Sequence, residues 1–198
     1  WGQRWRVDDL PSCVRLHHAV AGVGDSGMMT RNQNYTSQMS PEVLENFVSR
    51  IFARHDVALP ETQRCEGGTC RVALIVNKRH WANLEATSEA LRSRGFESLA
   101  FDFAKMGGVS EQLAFLRTTD IFVSSVGTAM TAVPFLGRGS AVINVGWHDG
   151  FWEEYLVASV PWLRTIYPDT LTPTGWRSTD ELIHLVERAE RSIQQLDP

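Results

Sequence analysis

The sequence predicts a Rossmann-like α/β fold, a parallel sheet with helices on both faces, and three observations carry that expectation. Short strand-like runs recur at residues 72–76, 96–103, 120–123 and 141–145. Segments with helical character separate them at residues 82–94, 110–117 and 125–136, and the connections are brief. Most of the strand runs are continuously apolar, the form taken by strands covered on both faces. Strand and helix in alternation imply right-handed crossovers and a sheet held between two helix layers.

The elements follow in order. Residues 1–40 show no sustained period; Val14, Leu16, Ala19, Val20 and Ala21 fit one strand or two, and residues 22–38 are rich in Gly, Asn, Ser and Thr, hence loop. Ser40, Pro41 and Glu42 then supply an N-cap, a proline at the first helical position and an acid in the first turn. Leu44, Phe47, Val48, Ile51 and Phe52 recur at helical spacing, which predicts a helix over 41–55 with one buried face. Residues 56–71 form a connection. Val72, Ala73, Leu74, Ile75 and Val76 open the alternating region, and Gly95 supplies a stop for the helix that follows them. Ser178 and Glu181 form a capping box, after which Leu182, Leu185, Val186, Ala189, Ile193 and Leu196 make one apolar stripe. The expected division is residues 1–70, a loop-rich flank carrying one helix, and residues 71–198, the Rossmann-like domain.

Charge and composition narrow the function. In 198 residues, 19 Lys and Arg stand against 23 Asp and Glu, a net charge of −4, which argues against a basic nucleic-acid binder. No apolar stretch approaches the roughly 20 residues of a membrane span. The start, Trp1-Gly2-Gln3-Arg4-Trp5, has neither an initiator Met nor an apolar signal core, and the chain reads as a segment of something longer. Of the three cysteines, Cys65 and Cys70 bracket a four-residue turn, and a local disulfide is favoured over free thiols; Cys13 is left for an outside partner or a buried thiol. No further Cys or His pair stands at zinc-ligand spacing. Asn34-Tyr35-Thr36 is a glycosylation acceptor sequence. Together these point to the lumen of the secretory pathway.

Two motifs fail on context. Gly22, Gly24 and Gly27 fit G-x-G-x-x-G, yet the residues after them lack helical periodicity, so a glycine-rich loop is expected there rather than a cofactor site. Gly-Asp-Ser-Gly over 24–27 matches a serine-protease nucleophile loop but leaves too little chain upstream for its partners. The sequence has no Asp-x-Asp and no His-Glu-x-x-His, so metal-dependent transfer is disfavoured and no cofactor is expected.

An anionic ligand would then rest on backbone amides and cationic side chains. In an open parallel sheet the ligand sits beyond the carboxyl ends of the strands. Lys78 and Arg79 follow the first apolar strand, where a guanidinium can grip a phosphate with two hydrogen bonds, or where both are merely solvated charges. Ser125, Val126, Gly127, Thr128 and Ala129 follow the third, small residues whose amides suit phosphate or, alternatively, a tight packing turn. Glu111 and Gln112 open the helix between them, and Glu111 serves equally as a ribose ligand or as a surface acid facing the helix dipole.

The run 72–145 resembles the C-terminal half of glycosyltransferase family 61. The features that carry the resemblance are Lys78-Arg79, Asn83, the Ser110-Glu111-Gln112 step and the 124–131 turn followed by another strand. The family turn reads close to G-P-H-G-A-G-L-T, and here Val126 stands where the His would be, with Thr128 and Ala129 replacing the next Ala and Gly. The resemblance implies the nucleotide-sugar-binding half of a GT-B glycosyltransferase, of the kind that transfers N-acetylglucosamine or xylose to protein or glycan hydroxyls in the endoplasmic reticulum or Golgi. Lys78, Arg79, Asn83, Glu111, Gln112, Ser125, Gly127, Thr128 and Ala129 would bind the donor, a uridine diphosphate sugar. Arg79 would stabilise the departing diphosphate in an inverting, metal-independent transfer. The base that activates the acceptor hydroxyl is left open: it would lie in the family's other half or face the cleft from it, and His80 and His148 are the candidates in this chain. The alternative is a secreted, non-catalytic binding or scaffold domain that kept the fold.

Overall fold

The computed structural model of the protein describes residues 41–59, 65, 68–76, 83–125, 127–145, 157, 160–169 and 177–195. Five strands form one sheet: β1 (Arg71–Ile75), β2 (Glu97–Phe101), β3 (Ile121–Ser124), β4 (Ala141–Asn144) and β5 (Arg164–Ile166). They lie in the order β2-β1-β3-β4-β5, and every neighbouring pair is parallel. The expected parallel α/β sheet is therefore present, with the three apolar runs as adjacent central strands.

Among the described residues, α-helices around it are α1 (Pro41–Arg54), α2 (Leu84–Arg92), α3 (Val109–Arg117) and α4 (Thr179–Gln194). The sheet divides two apolar layers, because alternate residues of a strand face opposite ways. Val72, Leu74, Ile121, Val123, Ala141 and Ile143 pack with Leu91 of α2 and with Leu182, Leu185, Val186 and Ala189 of α4. Ala73, Ile75, Phe122 and Val142 pack on the other side, with Leu44, Val48 and Phe52 of α1 and Leu113 and Leu116 of α3. The buried stripe of α1 thus belongs to the same core as the sheet.

A right-handed crossover puts its helix on one face when the chain steps one way along the sheet and on the opposite face when it steps back. The chain leaves β1 for β2 through α2, then passes back beyond β1 to β3 through α3. That reversal is why α2 and α3 lie on opposite faces, and it leaves a crevice between the carboxyl ends of β1 and β3.

Local chemistry sets the ends of the elements. The Val57 and Asp56 amides donate to the carbonyls of Phe52 and Ala53 at 3.1 and 3.3 Å, closing α1 with Asp56 at φ 53°. This is a Schellman stop built on aspartate instead of glycine. Gly95, at φ 92°, ends the turn after α2 as its sequence position implies. The Ser178 and Glu181 capping box opens α4, with both reciprocal hydrogen bonds made. Cys65 and Cys70 are bonded, their Cα atoms 4.0 Å apart, at the amino end of β1.

Two elements differ from the sequence expectation. Residues 125–136 read as an ordinary helix, whereas Thr128–Phe135 is a 3-10 helix. Pro134 lies inside it, and in an α-helix its ring would collide with the carbonyl of residue 130. The Met130 amide accordingly bonds three residues back, to the Gly127 carbonyl, at 3.0 Å. The strand β5 was not foreseen; its three residues are half-buried and polar-rich, so they carry no apolar run.

Candidate ligand-binding edge

In a parallel sheet whose helices return the chain to the amino edge, the helices begin at the carboxyl edge. Asn83 at the head of α2, Glu111 and Gln112 in the first turn of α3, and Gly127 to Ala129 at the head of the 3-10 helix therefore share one edge of the sheet. The segment holding Lys78, Arg79 and His80 lies outside the described residues, as do Cys13, Asn34, Val126 and His148. By chain position, residues 77–82 join the carboxyl end of β1 to the head of α2.

The side chains expected to bind a ligand have work within the fold. Asn83 caps α2, its Oδ1 accepting from the Ala86 amide at 3.2 Å. Its place before Leu-Glu-Ala is a sequence signal for that cap. The Glu111 carboxylate reaches back to accept the Gly107 amide at 3.0 Å, which offsets the positive end of α3. Gln112 Nε2 donates to the Phe103 carbonyl at 3.3 Å and ties α3 to the chain leaving β2. Beneath that tie the Phe101 ring stacks on Phe115, with centroids 3.7 Å apart, and meets Phe103 edge-on at 4.7 Å.

The turn after β3 is built differently. Ser124 and Ser125 are both buried, and the Ser124 hydroxyl donates to the Ser125 carbonyl at 2.8 Å. Gly127 has φ 153° and ψ 178°, a backbone region that is essentially glycine-only. Thr128 is exposed and Ala129 half-buried. A Cβ at Gly127 would disfavour this conformation, so the bend at the head of the 3-10 helix depends on glycine.

Two further polar residues escaped the sequence reading. Asn144, fully buried, ends β4 opposite Ser124; the signal was a carboxamide inside an apolar run. Arg177, 2% exposed, precedes the cap of α4 and pairs with Glu181 at 3.5 Å. The Glu181 carboxyl is held below its usual range, first by the Ser178 amide and then by the Ser178 hydroxyl and Arg177, opposed by partial burial.

Among the described residues no three of His, Cys, Asp and Glu gather so as to hold a metal ion, and no helix is long and apolar enough to cross a membrane. Compared with models of known protein families and with curated proteins, the chain matches none. Function is therefore read from the edge itself.

Proposed function

We propose that this domain holds the diphosphate of a nucleotide-sugar, a uridine diphosphate sugar, at the carboxyl edge between β1 and β3. On this reading it is the donor-binding part of an inverting, metal-independent glycosyltransferase of the secretory pathway, acting on a protein or glycan hydroxyl. The observation that carries the reading is the glycine-only bend at Gly127 beside the crevice where the strand order reverses. Such a crevice is where open α/β sheets bind ligands. The small residues of the turn let a phosphate approach the main chain closely.

The chemistry asks little else of this half. Displacement at the anomeric carbon puts negative charge on the departing diphosphate. The Arg79 guanidinium, following β1 in the sequence, and the amides of the Gly127 turn would offset it, fixed donors aimed at charge that develops in the transition state. The sequence offers no Asp-x-Asp for a bridging cation. His80 and His148 remain the candidates here for the acceptor base.

A second reading rests on the hydrogen bonds that occupy Asn83, Glu111 and Gln112. Together with Val126 in place of histidine, they suit a domain that binds a nucleotide, or a partner, without turning it over. Calorimetric titration of uridine and guanosine diphosphate, with and without chelator, separates the readings when joined to an assay of sugar release. Chelator-insensitive binding of the uridine nucleotide with release of sugar supports the transferase. Binding without release supports the non-catalytic domain, and no binding removes the nucleotide site.

A further inference from the structure

We propose that Ser124 and Asn144 are positioning residues, a buried polar pair that fixes Ser125 and, through it, the bend at Gly127 and Thr128 beneath the ligand. The part concerning ligand rests on the nucleotide reading above; the part concerning the turn does not.

Beyond Arg71 at the start of β1, the central strands of this sheet are apolar, and polar residues close only β3 and β4. β1 ends at Ile75, whereas β3 and β4, side by side, end in Ser124 and Asn144, both at 0% exposure. The two are registered directly opposite each other, and the Val145 amide closes the ladder onto the Ser124 carbonyl at 3.0 Å. Registered residues of a parallel pair project from the same face, and strands lie about 4.8 Å apart, so hydroxyl and carboxamide share one layer. By alternation that layer continues the row of Phe122 and Val142, whose neighbours include Met130 and Val133 of the 3-10 helix. An apolar side chain of similar size would fit there without the cost of burying a polar group.

Such a break in an otherwise apolar pattern needs a compensating role. One half of it is visible. The Ser124 hydroxyl draws the Ser125 carbonyl inward at 2.8 Å. A carbonyl oxygen carries partial negative charge, and one bonded inward is removed from the side where a phosphate would lie. The turn is thereby oriented just before Gly127, whose backbone setting depends on where residue 125 leaves the strand. Asn144, level with Ser124, extends the same polar floor toward β4. Neither side chain reaches solvent, so neither is a catalytic residue; they act through the main chain of the turn.

Amide hydrogen exchange on the full chain tests this, with nucleotide titration beside it. Ser124→Ala deletes a single oxygen and Asn144→Val keeps a strand-forming side chain. Each is expected to speed exchange at residues 125–129 by about fivefold or more while leaving residues 72–75 protected as in the parent. Ser124→Thr, which restores the hydroxyl, returns the turn to parental protection. Val142→Ala, a lesion in the same layer without polar loss, lowers Tm without singling out the turn. If the protein binds uridine diphosphate, Ser124→Ala weakens it by about tenfold and Ser124→Thr by no more than about twofold. Turn protection that is unchanged in Ser124→Ala and Asn144→Val, or lost equally across the whole sheet, overturns the inference. A parent that binds no nucleotide, with the turn still loosened selectively by Ser124→Ala, removes the nucleotide reading and leaves the positioning pair standing.

Discussion

Thr87 Oγ1 lies 3.1 Å from Thr179 Oγ1, joining the first half of α2 to the first residue of α4. The two helices pack on the same face of the sheet, one entered from β1 and the other from beyond β5. This hydroxyl pair therefore holds two helix starts together at the carboxyl edge. Thr87 is fully buried, so its hydroxyl has little access to water if the partner is removed. Thr87→Val and Thr179→Val are each expected to cost about 1 kcal/mol, and the double variant less than the sum. Denaturant unfolding of the four proteins of the cycle measures this.

Asp120 secures the opposite edge. Its Oδ2 accepts the Arg71 amide at 2.8 Å, while its own amide donates to the Arg71 carbonyl at 3.0 Å. Asp120→Ala strips a part-buried amide of its partner where β1 and β3 begin, with an expected loss of about 1 kcal/mol. Because this edge is remote from the proposed ligand, nucleotide affinity in the folded variant should equal that of the parent. Chemical denaturation and calorimetry check the two halves.

Gly127→Ala addresses the bend itself. A Cβ in that backbone region is expected to cost about 1 to 3 kcal/mol, or to rotate the turn out of its present form. In either case nucleotide affinity falls. Gly107→Ala is the contrasting change: a Cβ there would meet Glu111 Oε1 at 2.8 Å, the far end of a flexible side chain that can move aside. Its effect on Tm should be the smaller of the two.

Much of the fold was legible because burial on both faces leaves a simple signature. Val72, Leu74, Ile121, Val123 and Ile143 needed no water-facing alternation, and the Ser178 capping box marked its helix start to the residue. Where packing rather than pattern decides, the sequence was silent. β5 is half-buried at the end of the sheet, and Arg164 and Thr165 conceal it. Pro134 marked the 3-10 helix, but the small residues around it masked the signal. At the site, residue type alone did not separate a ligand contact from a cap: Asn83 and Glu111 suit either task, and the hydrogen bonds to Ala86 and Gly107 are visible only in three dimensions.

Glu190 gives the molecule a pH dependence of known sign. Its carboxyl is pushed above the usual range, first by burial and then by the charge of Glu187, with Arg191 opposing. The Cys70 sulfur lies 3.9 Å from Glu190 Oε1, and a disulfide sulfur has no hydrogen to offer the carboxylate. A raised value in the folded state means that ionising Glu190 costs stability. That cost is absent below the unfolded value and complete above the folded one. Glu190→Gln should therefore raise Tm by about one to two degrees near neutral pH. The variant and the parent should converge in acid, as followed by thermal scans across pH.

The most direct test of the central claim is to map amide shifts on adding uridine diphosphate to the isotope-labelled chain. The diphosphate is expected to move the resonances of Ser125, Gly127, Thr128 and residues 77–83, at the carboxyl ends of β1 and β3. Asp120 and Ala141 at the amino ends should stay in place. Shifts confined to the amino edge, or no shifts at saturating nucleotide, would contradict a nucleotide site in the β1 and β3 crevice.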